Sequence, residues 1–140
     1  MKKINHAAVW VCAVLLTGLG FLWFDALFGE PWMKMVGLSM ADIEASPPGA
    51  GVWITNFIAT VAPLYVLAWL LNKMNVESGM GGAGIGLLIS FSFVFLTIMN
   101  GNMFAMKPYA LTWITGGYGM VAMTLSGFIL GAWRKKSVTT

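Results

Sequence analysis

Charge is scarce in this chain. Of its 140 residues only 9% are Asp, Glu, Lys or Arg, and it has one cysteine and one histidine. Soluble domains carry about 25% charged residues, so water is excluded as the main solvent. The single thiol, Cys12, supports neither a disulfide nor a thiolate metal cluster. His6 has no carboxylate or thiol beside it and makes a poor ligand set. A Gly-rich phosphate loop, an HExxH pair and a Ser/His/Asp set are all missing, as are long internal repeats. His6 and Asp25 fall toward opposite membrane faces and cannot join one catalytic set. No enzyme activity and no cofactor are expected.

What is present is apolar: 59% of the residues are hydrophobic and the mean hydropathy is +0.81. Four stretches, at about 4–28, 52–71, 80–99 and 109–133, have few or no charges. Each approaches the ~20 residues needed to cross hydrocarbon. A backbone in lipid must satisfy its own hydrogen bonds, which makes the stretches helices, and the weak strand alternation rules against a barrel. The reading is all-α: one integral membrane bundle of four transmembrane helices using residues 1–140. The first stretch opens with Lys2 and Lys3, but its apolar run exceeds the ~7–15 residues of a signal core and lacks a small-x-small cleavage site. It reads as a retained helix.

Lysine and arginine orient the bundle. Lys2, Lys3, Lys73, Arg134, Lys135 and Lys136 fall on one side, and Lys34 and Lys107 on the other, six against two. Both termini are therefore expected in the cytoplasm. Trp10, Trp69 and Trp133 lie toward the inner ends, while Trp23, Trp32, Trp53 and Trp113 lie toward the outer ends, as aromatic belts do. The net charge of +3 marks an anchored inner face; the expected partner is the lipid bilayer, not nucleic acid.

The inner loop "NKMNVESG" is tight, so the second and third helices should be antiparallel neighbours. The first outer loop, "GEPWMKMVGLSMADIEASPPGAG", is long. Pro31 suits the first turn of a short interfacial helix, with Trp32, Met33 and Met35 dipping inward beside Lys34. Ser39 stands three residues before Asp42, a capping-box spacing for a second short turn, which "SPPGAG" ends. The loop is an outer cap or a lid.

Each predicted helix carries a stripe of small or hydroxyl residues, the composition of helix contacts in lipid. Gly82-xxx-Gly86 and Gly127-xxx-Gly131 permit especially close approach. The strongly polar residues fall in the outer half: Asp25, Asn56, Thr97, Asn100, Asn102, Thr112 and Thr115. That asymmetry predicts a shallow polar cavity open to the outside and closed inside by glycine packing. Asp25 is expected to face the bundle interior beside Asn56, because Thr17 and Gly18 lie two turns behind it on the small-residue side. An ionisable group inside a membrane is a functional candidate; the other reading is an interfacial anchor that reaches headgroups, Lys34 or Lys107. Pro63 frees the Ala59 carbonyl and shapes the second helix.

Eleven methionines are present, and Met99, Met103 and Met106 stand at helical spacing. Soft thioethers select Cu(I), which makes the trio a weak metal candidate. Methionine is equally an ordinary filler of apolar gaps.

The stretch "VLLTGLGFLWFDALFGEPWMKMVGLS" resembles the opening signature of the bacterial membrane family catalogued as domain of unknown function seventeen sixty-one. Gly20, Trp23, Phe24, Phe28, Gly29, Trp32, Met33, Lys34 and Gly37 fill its positions. The end of the chain is similar to that family's closing segment through Asn100, Gly117, Tyr118 and Gly131. Asp25 departs from the family pattern, so the resemblance implies no role for it. The resemblance implies a four-helix membrane protein and supplies no activity. The expected protein is a multi-pass component of the bacterial inner membrane, non-enzymatic, working as a homo-oligomer or an accessory subunit of a larger membrane complex. The alternative is a small-solute or ion transporter or channel with Asp25 and Asn56 at its outer mouth.

Overall fold

The computed structural model describes residues 3–134. Lys2, Lys135 and Lys136, three of the six inner-side cations counted above, lie outside the described residues. The chain runs as α1 (His6–Phe21), a π-helical turn (Leu22–Leu27), α2 (Gly29–Val36), α3 (Met40–Ala45) and α4 (Ala50–Lys73). It continues as α5 (Gly79–Ile89), a second π-helical turn (Ser90–Phe95), α6 (Leu96–Phe104) and α7 (Tyr109–Ala132). The described residues form no strand. Four continuous helices are long and apolar enough to cross a membrane: His6–Leu27, Ala50–Lys73, Gly79–Phe104 and Tyr109–Ala132. The third extends past the expected 99. Asn100, Gly101 and Asn102 stay helical, and the turn comes at Met106, whose φ is +52°.

The outer loop forms as its residues dictate. Pro31 lies in the first turn of α2, and Gly37 ends that helix with φ +76°, a left-handed conformation that favours glycine. Trp32, Met33 and Met35 are half-buried and Lys34 is exposed. Ser39 caps α3 reciprocally: Asp42 N donates to Ser39 Oγ at 3.2 Å, and Ser39 N donates to Asp42 Oδ2 at 2.8 Å.

Packing is closest between α5 and α7. A Cβ on Gly82 would overlap the Gly127 carbonyl, one on Gly86 the Met123 carbonyl, and one on Gly127 the Gly82 carbonyl. Only glycine lets these backbones touch. A Cβ on Gly131 would likewise strike the Ser78 carbonyl. This corrects the expected pairing of the second and third helices. The tight turn joins α4 to α5, yet α5 spends its glycine face on α7 and meets α4 only slightly.

The apolar core gathers toward the inner ends of the other contacts. Ala8, Val9, Cys12, Ala13 and Leu16 of α1 meet Leu64, Leu67, Ala68 and Leu71 of α4, with Ala122 and Leu130 of α7. Polar ties close the same end. Asn5 caps α1 and its Nδ2 donates to the Trp133 carbonyl at 3.0 Å. His6 Nδ1 lies 3.0 Å from the Tyr65 hydroxyl. The Arg134 guanidinium donates to the Val76 carbonyl and to the side-chain oxygen of Asn72. His6 is thus a structural partner of Tyr65.

Candidate functional site

Toward the outer end the spans part company. Every residue from Ala50 to Ala59 of α4 is exposed, whereas Leu64, Leu67, Ala68 and Leu71 further along the same helix are buried. Between α1 and α4 this splay leaves two adjoining hollows of about 300 and 280 Å³. They share Thr17, Trp53, Asn56 and Thr60. The larger is walled by Phe21, Phe24 and Trp53 and reaches the Tyr118 hydroxyl of α7.

The far wall is held by an aromatic cluster that joins α1 to α7. Trp23 Nε1 donates to the Ile114 carbonyl at 2.8 Å, and the Tyr118 hydroxyl donates to the Leu16 carbonyl at 3.0 Å. Ring centroids lie 4.9 Å apart for Trp23 and Phe28, 5.2 Å for Phe24 and Tyr118, and 5.6 Å for Phe24 and Trp32. Gly20 and Gly117 lie beside the rings, where a Cβ would make ordinary contact at 3.5 Å with Tyr118 and Trp23 respectively. Gly29 is required more strictly, since its Cβ would come within 2.9 Å of the Phe24 carbonyl oxygen. Residues from opposite ends of the chain that carry the family resemblance therefore meet in one place.

The polar residues expected to share a cavity do not converge. Asp25 is exposed and lines neither hollow. The reason is the helix face. The buried side of α1 is Val9, Cys12, Ala13 and Leu16, continued by Trp23 and Phe24, not the Thr17–Gly18 side. Gly18 has open space around its Cα. Asp25 follows the two inward aromatics on the wide π-helical turn and points away from them, near the outer end of its span. Thr97 and Asn100 are exposed too. Thr112 is 1% exposed and accepts from Asn102 Nδ2 at 2.9 Å, a tie between α6 and α7. The Thr115 hydroxyl donates to the Leu111 carbonyl of its own helix. Of the expected set, Asn56 lines these two hollows.

The methionine trio also disperses. Helix α6 stops at Phe104, so Met106 leaves the spacing that would stack it over Met103, and the two are 92% and 50% exposed. Among the described residues no group of three His, Cys, Asp or Glu side chains could hold a metal ion.

Sequence reasoning missed Trp23 and Tyr118 as the bridges between the first and last spans. The available signal was their place in the two signature segments, an aromatic whose polar atom must find a partner when buried. The family described as protein of unknown function (DUF1761) matches residues 7–131. The chain belongs to that family. No curated protein and no solved structure matches it.

Proposed function

Proceeding from membership in a family without an assigned activity, we propose a multi-pass, non-enzymatic protein of the bacterial inner membrane that works as a homo-oligomer or as an accessory subunit. The observation that carries this reading is the outer half of α4, where every residue from Ala50 to Ala59 is exposed within the described chain. By helical phase, Gly51, Thr55 and Ala59 lie on the side turned away from α1, small residues of the kind that let helices approach in lipid. The transporter reading loses support because Asp25, Thr97 and Asn100 are exposed and line neither hollow, while Thr112 and Thr115 are hydrogen-bonded to Asn102 and to the Leu111 carbonyl.

Charge supports cytoplasmic termini: Lys3, Lys73 and Arg134 belong to one end of the bundle, and Lys34 and Lys107 to the loops of the other. A cysteine at Ala45 should react with an impermeant reagent from outside intact cells; reaction only in broken cells would reverse the orientation. Mass measurement in bilayer nanodiscs tests association. The expected mass is that of more than one chain or of a complex with a second protein, and a lone chain under all conditions would end the reading.

A further inference from the structure

The larger hollow between α1 and α4 has a hydrogen-bonding character that the association reading does not use. Three hydroxyl protons around it are already committed: Thr17 Oγ1 donates to the Ala13 carbonyl at 2.9 Å, Thr60 Oγ1 to the Asn56 carbonyl at 2.9 Å, and the Tyr118 hydroxyl to the Leu16 carbonyl at 3.0 Å. Their oxygens keep lone pairs free. Asn56 adds a side-chain amide, unpaired among the described residues, with one acceptor oxygen and one NH2 group. Acceptors therefore outnumber donors around an apolar, aromatic hollow of about 300 Å³.

Depth narrows the occupant. Asn56 lies six residues into α4, about 9 Å from its outer end at ~1.5 Å per residue. The 24 residues of α4 span about 36 Å, against roughly 30 Å of hydrocarbon. The polar groups thus sit below the headgroups. At that depth phospholipid acyl chains donate nothing, and the ester carbonyls above them are further acceptors, which an acceptor-rich site does not match.

We propose that this hollow binds a lipid-soluble hydroxyl compound, an alcohol or phenol whose flat or ring-bearing body lies against Phe21, Phe24 and Trp53 while its hydroxyl donates to the Thr17, Thr60 or Tyr118 oxygens and accepts from the Asn56 amide. The site opens sideways into the bilayer between α1 and α4, so such a ligand enters from the membrane. It uses the face of α4 turned toward α1, and it stands or falls separately from association through the opposite face.

The probes are para-octylphenol and its methyl ether, para-octylanisole, which share ring and chain and differ in the donor. Native mass spectrometry of the full chain released from nanodiscs counts what is bound. The expected result is one para-octylphenol per chain with saturation, about tenfold weaker binding of the methyl ether, and a similar loss in Asn56→Leu and Thr60→Val. Both variants alter exposed or half-exposed positions, and Thr60→Val keeps the side-chain shape should Asn56→Leu fold poorly. Equal binding of phenol and ether, or unchanged binding in both variants, would reduce the hollow to a place where lipophiles partition and overturn the proposal. A second chain retained in place of the probe would overturn it as well.

Discussion

The inner and outer halves of this bundle are built from different materials. Inside, the contacts are between backbones and small side chains: Gly82 and Gly86 against the Gly127 region, Ala8 and Ala13 among leucines. Outside, α1 and α7 are held apart by rings, and α4 is exposed from Ala50 to Ala59. In lipid there is no water-driven force between apolar helices, so closeness must come from shape or hydrogen bonds. Glycine lines supply the first in the inner half. Trp23 and Tyr118 supply the second in the outer half, with hollows left where neither device reaches.

The largest expected effect comes from breaking the inner half. Gly82→Leu or Gly127→Leu must push α5 from α7, at a cost at or above about 3 kcal/mol, and the melting temperature in detergent should fall accordingly. Gly84→Ala, at a position open to its surroundings, should instead be neutral or stabilising by roughly 0.5–1 kcal/mol through helix propensity. Similar melting of the two kinds of variant would erase the distinction between the halves.

A smaller effect is expected from the outer half. Trp23→Phe keeps a ring but loses the bond to the Ile114 carbonyl, which should cost about 0.5–1.5 kcal/mol. Tyr118→Phe should behave alike, and a double variant losing less than either single would show that the two ties are not independent.

Asp25→Asn sharpens the contrast by its expected silence. The carboxylate is exposed, so the change in stability should stay within about 0.5 kcal/mol. A drop of several times that would mean that Asp25 has an inward partner after all.

The smallest effect lies in the outer loop. Hydrogen bonds from the Ser39 hydroxyl and backbone N–H hold the Asp42 carboxyl below its ordinary value. A depressed folded pKa means that the cap contributes fully above the ordinary carboxylate range and is lost as pH falls through the depressed value. The Asp42 carboxyl resonance should therefore titrate below that of a free aspartate, and Ser39→Ala should move it only part of the way back, because the backbone N–H bond at position 39 remains. The inner half should show no change across that window.

Much of the architecture was legible because it depends on local rules. Hydropathy located the four spans, Pro31 and Ser39 marked the starts of α2 and α3, and four-residue glycine spacing marked α5 and α7 as helices that allow close approach. Partner choice was not legible. A tight loop suggested α4 beside α5, but the glycine face of α5 has a better match in α7. The candidate site failed for a related reason. A stripe of small residues at Thr17 and Gly18 looks like a contact surface, yet the rings of Trp23 and Phe24 determine which side of α1 turns inward. Asp25 was assigned to the wrong side in consequence. Asn56 lines the hollows between α1 and α4 without Asp25.

The bonds joining the first and last spans connect residues far apart along the chain: Trp23 with Ile114 across 91 positions, Leu16 with Tyr118 across 102, and Asn5 with Trp133 across 128. The α5–α7 hairpin, by contrast, closes over a short stretch. During synthesis Trp23 and Asn5 therefore lack the carbonyls they will bind until the final span arrives. The last helix to be made is the one on which the first is finally seated.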